Sequence, residues 1–132
     1  MKNPNDPCLF CTPRGVTRRN ALAYCTHDSY PVSRGHSLII PFRHCASFFD
    51  LTPDEMAACM ELLVHGRMAL DDEFNPDGYN VGVNVSAAAG QSIFHVHIHL
   101  IPRYTGDSPH PRGGVRQVIP EKADDLRNRR RR

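Results

Sequence analysis

Three histidines, His95, His97 and His99, alternate with aliphatic residues in Gly90-Gln91-Ser92-Ile93-Phe94-His95-Val96-His97-Ile98-His99-Leu100-Ile101-Pro102-Arg103. An ordinary imidazole titrates near about 6.5, so at pH 7 it is mostly neutral and can attack phosphorus or ligate a metal. Strict alternation with Val and Ile predicts a β-strand. Residues two apart on a strand share a face, at roughly 6.5–7 Å per step. The three imidazoles then line one face, and Val96, Ile98 and Leu100 line the other, free to enter a core. A merely solvated face would more readily carry Thr, Lys or Glu, so the pattern points to a site. Pro102 lacks a backbone donor and closes this strand or marks it as an edge.

Other residues with chemical potential lie upstream. Cys8-Leu9-Phe10-Cys11 is a zinc knuckle or a redox pair. A redox pair belongs at a helix start after a strand, and nothing before Cys8 reads as a strand. A zinc site needs two further ligands. Asp28, in its plain reading, is a turn residue. His36 follows Gly35 and has a structural rather than catalytic reading. Ser86-Ala87-Ala88-Ala89-Gly90 is a loop of small residues that lets backbone N–H groups approach an anion. It lacks the spacing of a P-loop.

The elements that must position these residues are few. Segments 16–18 and 21–26 predict two short strands with a turn near Arg19-Asn20, and 37–41 predicts a third that ends on Pro41. Thr52-Pro53-Asp54-Glu55 is a capping box with Pro at the first helical position. The helix should cover 53–70, with Met56, Met60, Leu63 and Leu70 on its core face beside Cys59 and Val64. His65 falls on its partly exposed side. Asn75-Pro76-Asp77-Gly78 is a turn. Segment 78–85 alternates as a fourth strand, with Asn84 on the polar face. Segment 105–114 is turn-rich, and 115–119 is a short strand or packing arm. The sum is an α+β domain with a mainly antiparallel five-stranded sheet and one long helix.

With 132 residues the chain makes one domain, large enough for a single core. Hydrophobic content of 40% and charged content of 23% are those of a soluble globular protein. Arg127 and residues 129–132 form a basic tail; removing those five arginines from the net charge of +2 leaves −3. The body therefore gives no charge-based case for nucleic-acid binding. We divide the chain into a domain over 1–120, opening on a loose lead-in at 1–7, and a disordered basic tail over 121–132. No apolar run approaches the roughly 18 residues of a membrane helix, and no signal peptide opens the chain. Five cysteines cannot all pair within one chain, which together with that places it in the reducing cytoplasm.

The run His-φ-His-φ-His-φ-φ, preceded by Gly90-Gln91-Ser92 and followed by Pro102-Arg103, resembles the histidine triad (HIT) family, in its zinc-carrying nucleotide-binding branch. The resemblance extends from about Cys8 to about Ile119. It implies a HIT-like fold and a homodimer. It implies a structural zinc on Cys8, Cys11, His44 and His95, with no catalytic metal. It assigns His97 as the nucleophile that forms a covalent nucleotidyl-histidine. His99 would contact the phosphate and the bridging atom. Asp28 would accept from ribose hydroxyls, Asn84 and Ser92 would bind phosphate oxygens or the leaving group, and Gly90 and Gln91 would shape the same wall. The implied activity is hydrolysis of a purine nucleotide phosphoramidate or dinucleoside polyphosphate. The competing readings are a nucleotidyltransferase or phosphorylase of the same superfamily, and a zinc-stabilised nucleotide-binding module.

Overall fold

The computed structural model describes residues 8–123. The lead-in at 1–7 and the arginines of the tail lie outside the described residues. Five strands, β1 (Val16–Arg19), β2 (Ala23–His27), β3 (Ser37–Pro41), β4 (Gly78–Val83) and β5 (Ile98–Arg103), and one long helix, α1 (Pro53–Phe74), make the α+β architecture that the sequence predicts. The sheet order is β1-β2-β3-β5-β4, antiparallel throughout.

Both predicted strand boundaries around Asn20 move by a residue or two. The Asn20 side chain accepts from the N–H groups of Leu22 and Ala23, which tightens the turn and delays β2. A larger shift concerns β5. Only His99 of the three histidines lies in the ladder; His95 and His97 precede it in an extended segment outside the strand. That segment is anchored instead by Val96 N–H donating to Cys45 C=O at 2.8 Å. Val96, Ile98 and Leu100 are buried as expected, but so are His95 and His97. Pro102 does not end β5. It pairs with Tyr79 of β4, and β3 pairs with β5 only through residues 98–100, so no neighbour asks Pro102 for a donor there.

The helix begins at its predicted cap. Thr52 Oγ1 accepts from Glu55 N–H, and Glu55 Oε1 accepts from Thr52 N–H. It runs past the predicted end to Phe74, where Asn75 adopts a left-handed conformation and caps it. The core face also differs from expectation. Cys59, Leu62, Gly66 and Leu70 are buried, whereas Met60 is 37% and Val64 58% exposed. The helix is apolar around too much of its circumference for spacing to choose one stripe. Gly66 decides it: a Cβ there would sit 3.4 Å from Leu100 Cδ2, so the glycine face lies closest to β5. The main core accordingly joins α1 to Ala23, Cys25, Ile39, Ile98 and Leu100 of β2, β3 and β5.

Beyond β5 the expected strand or arm at 115–119 is a 3-10 helix, Gly114–Val118. Gly113 and Gly114 have φ of 90° and 48°, which starts a tight turn and precludes a strand. A second turn, Pro120–Lys122, follows, and Ala123 is buried.

One ion pair links the helix start to the segment after β3. Glu55 is 4% exposed and accepts from Arg43 Nε at 2.9 Å and Nη2 at 2.8 Å. The Arg43 guanidinium holds the Glu55 carboxyl at about 2, below the usual 4.5. A depressed carboxyl stabilises the fold above its unfolded pKa and loses that contribution as pH falls through the folded value. Glu55→Ala, which also removes half of the capping box, should cost about 2 kcal/mol at pH 7, a Tm loss of roughly 6–10 °C. The gap between the two proteins should narrow as pH falls from 4.5 toward 2. A gap independent of pH in that window would contradict this account.

Candidate active site

Two clusters of side chains meet along the extended segment before β5. The first is built from three parts of the chain. Cys8 and Cys11 flank the single 3-10 turn Leu9–Cys11, closed by Cys11 N–H donating to Cys8 C=O. His44 follows β3, beside the Arg43 that Glu55 fixes. His95 is fully buried. Its Nε2 lies 2.7 Å from Pro41 C=O, an acceptor, so Nε2 carries the proton and Nδ1 is left as a lone pair. That Nδ1 faces Cys8 Sγ at 3.4 Å, Cys11 Sγ at 3.6 Å and His44 Nδ1 at 3.3 Å; Cys11 Sγ and His44 Nδ1 are 3.3 Å apart. A tetrahedral zinc with bonds of about 2.3 Å to sulfur and 2.0–2.1 Å to nitrogen needs its donors roughly 3.3–3.8 Å apart, the longest separation being between the two sulfurs. The four residues expected from the sequence therefore fit such an ion in spacing and in donor type. The Pro41 contact is the outer-shell partner that orients a ligating histidine.

The second cluster carries His97 and His99. His97 Nδ1 lies 2.9 Å from the backbone C=O of His95. A carbonyl only accepts, so Nδ1 is protonated and Nε2 presents its lone pair. A parallel argument fixes His99. The N–H of Val32 donates to His36 Nδ1 at 3.1 Å, so the His36 proton is on Nε2. His36 Nε2 in turn donates to His99 Nδ1 at 2.9 Å, which leaves Nε2–H as the ring donor of His99. Asp28 Oδ2 stands 3.5 Å from the same His36 nitrogen. The donor atoms of Asp28, His36 and His99 all fall within 4.8 Å of one another. They still make a poor metal site, because coordination at His36 Nε2 would drive its proton onto Nδ1 against the Val32 N–H. Burial keeps both rings neutral. It lowers His36, against the opposing pull of Asp28. It pushes His99 down to about 4, with help from His97 and His36.

Asp28, Asn84, Ser92, His97 and His99 all line one cavity of about 450 Å³, a volume typical of small-ligand sites. Asp28 is also the turn residue of its plain reading, because Oδ1 accepts from Tyr30 N–H. Two expected wall residues stand elsewhere. Gln91 is buried and gives its whole amide to the chain: Oε1 accepts from Ser86 N–H, and Nε2 donates to Ala46 C=O and Ile93 C=O. Gly90 N–H donates to Ala87 C=O, and the N–H groups of Ala89 and Gln91 donate to Ser86 C=O. The small-residue loop thus satisfies these donors internally and shapes the approach to Ser92. Sequence reasoning missed the opposite wall. Leu9 and Phe10, the two spacers of the Cys-x-x-Cys motif, line the cavity, as does Tyr24. Their one legible signal was that both spacers are apolar.

The neutral state of His99 is directly measurable. A histidine whose folded pKa is lowered binds no proton where the unfolded chain already does, so stability falls as pH drops from about 6.5 to 4. In a nitrogen-15 NMR titration His99 should stay neutral, with Nε2 protonated, until pH nears 4. A midpoint at an ordinary histidine value would show that burial does not control this ring.

Known proteins resemble this chain in sequence and in fold. An AP-4-A phosphorylase of Mycobacterium tuberculosis is 34% identical over 94 residues, which are 70% of this chain and 48% of that protein. An adenylylsulfatase of Arabidopsis thaliana is 37% identical over 106 residues, 76% of this chain and 54% of that protein. The chain thus spans about half the length of each. The crystal structure of a HIT family protein from Bacillus anthracis matches with a TM-score of 0.72 at 28% identity, over 94% of this chain and 97% of that one. A zinc-bound histidine triad family protein from Mycobacterium smegmatis matches with a TM-score of 0.69 at 26% identity, over 92% and 96% of the two chains. The family model described as the HIT domain covers residues 12–106, and this chain is a member of the HIT domain family.

Proposed function

We propose that the protein is a nucleotide hydrolase that attacks the α-phosphorus of a purine nucleotide phosphoramidate or dinucleoside polyphosphate. The observation that carries this reading is the bond from His97 Nδ1–H to His95 C=O, which fixes the tautomer that a nucleophile needs. His97 Nε2 forms a bond to phosphorus, and the leaving group departs with the electron pair of the broken P–X bond. The His99 Nε2–H donates to the bridging atom as its charge grows. Water then attacks the nucleotidyl-imidazole, the P–N electron pair returns to His97, and the water's proton passes to solvent. Asp28 binds the ribose hydroxyls, while Asn84 and Ser92 meet phosphate oxygens or the leaving group. A zinc on Cys8, Cys11, His44 and His95 supplies structural cross-linking of the N-terminal turn to the histidine segment. The names of the phosphorylase and adenylylsulfatase relatives support a nucleotide as substrate. None of the five cysteines is in a disulfide, which suits the cytoplasm.

The reaction class is tested with adenosine phosphoramidate and diadenosine tetraphosphate, each with and without inorganic phosphate. Hydrolysis releases AMP from the phosphoramidate whether or not phosphate is present. The phosphorylase relative favours a second reading, in which phosphate replaces water and ADP appears only when phosphate is supplied. Binding without any product would mark a binding module. His97→Asn should lower kcat by several orders of magnitude while AMP affinity changes little, because the loss falls on the covalent route. Near-normal turnover in His97→Asn with loss in His99→Asn would reverse the assigned roles.

The same reading includes a homodimer. Met60, Val64 and Met68 are 37%, 58% and 57% exposed and recur every four residues, forming a second apolar stripe on α1. Among the described residues strand β4 is a sheet edge, paired only with β5, and Val81 on it is also exposed. A second copy would cover both features, since an exposed apolar stripe and an open sheet edge are each a liability for a monomer. Sedimentation velocity should give twice the chain mass, and Val64→Glu should shift it to the monomer. A monomeric wild type at micromolar concentration would refute the dimer.

A further inference from the structure

We infer that the metal knuckle is a working wall of the nucleotide pocket, so that zinc and nucleotide bind with positive coupling transmitted by Phe10. This rests on the zinc and nucleotide assignments proposed above. The two residues between Cys8 and Cys11 are Leu9 and Phe10, and both line the cavity. Any metal that ties the two sulfurs therefore also fixes the backbone that presents these two side chains. Besides such a metal, the turn is held by the buried Cys8 and by Phe10 packing against Tyr24, Leu38 and Ile40. The turn has three residues and one internal backbone bond, Cys11 N–H to Cys8 C=O at 3.1 Å. A further tether is Tyr24 Oη–H donating to Phe10 C=O at 2.7 Å.

Phe10 is in addition a side chain that touches both clusters. Its ring centroid lies 6.2 Å from that of His95, edge-on, and 5.0 Å from that of His97. His95 itself joins the two sites through different atoms: Nδ1 faces the cysteines, and the backbone oxygen holds His97. With the metal bound, the wall and the nucleophile are ordered before nucleotide arrives. With it removed, Cys11 and His44 are exposed and the Leu9–Cys11 turn loses its tie to the segment after β3, so nucleotide must order that turn as it binds. A site that must be ordered on binding loses affinity. Linkage makes the effect reciprocal: whatever factor zinc adds to nucleotide affinity, nucleotide adds to zinc affinity.

The experiment uses the full chain and AMP as probe. Calorimetry should show AMP binding about tenfold more tightly to zinc-loaded than to chelator-stripped protein. Competition against a chromophoric chelator should show AMP tightening zinc by the same factor. In Phe10→Ala, zinc should still bind at one ion per chain, AMP affinity should fall about tenfold in the loaded state, and the coupling should vanish. The nitrogen-15 resonances of His97 should change on zinc removal in both proteins, since His95 also links the two sites, and more in the wild type than in Phe10→Ala. If the stripped protein unfolds, the loaded Phe10→Ala variant decides, and unchanged AMP affinity there overturns the inference. Both ligands binding with independent constants overturns this inference alone. No zinc uptake overturns the metal assignment and this inference with it; zinc uptake without AMP binding overturns the nucleotide assignment in the same way.

Discussion

The backbone carbonyl of His95 accepting from His97 Nδ1–H is the constraint on which the rest of the site depends. An imidazole in the wrong tautomer offers a proton where a lone pair is needed, and a carbonyl is an acceptor in every protonation state. Placing that carbonyl requires His95 to be immobile. It is immobile because its ring is fully buried, donates to Pro41 C=O at the end of β3, and faces two cysteines and His44. Residues on either side are tied as well: Val96 N–H to Cys45 C=O, and Gln91 to the loop before it and to Ala46. The segment that carries the histidines thus gains from side chains and loops the rigidity that a sheet ladder would otherwise give.

His99 is controlled by a separate chain of the same logic. A main-chain N–H at Val32 sets His36, and His36 sets His99. The loop over residues 28–36 that supplies both groups is pressed against the end of α1. Gly35 has φ +85°, and a Cβ there would come within 2.8 Å of Leu70 Cδ2. The loop that carries Asp28 to the pocket is therefore the one that defines the donor on His99. Burial completes the arrangement, since a neutral His99 keeps its directional N–H at pH 7.

Much of this was legible in the sequence because it resides in spacing. The alternating histidines form an extended run, the Cys-x-x-Cys pair flanks a tight turn beside His44 and His95, and the Thr52–Glu55 capping box starts α1; all three are local patterns. What was not legible depends on partners distant in the chain. Alternation at 95–99 predicts an extended backbone but not which residues find a ladder, and only His99 does. The apolar residues of α1 cover two stripes, and the choice between them is made by Gly66 against Leu100. Gln91 carries the same amide whether it binds a ligand or its own loop, and only the positions of Ala46 and Ser86 decide. Leu9 and Phe10 read as spacers until the turn brings them against the cavity. Val115 to Ile119 has strand-like residue types, yet the two glycines before it bend the chain into a 3-10 helix.

The central claim is that a fixed His97 Nε2 forms a covalent bond to phosphorus. Rapid quench of a single turnover with adenine-labelled substrate, into alkaline denaturant that preserves P–N bonds, tests it directly. The label should appear on the protein within the first turnover, decay as AMP forms, and map to a peptide modified at His97. AMP forming at the full rate with no label ever on the protein, or with the label on another residue, would contradict the account.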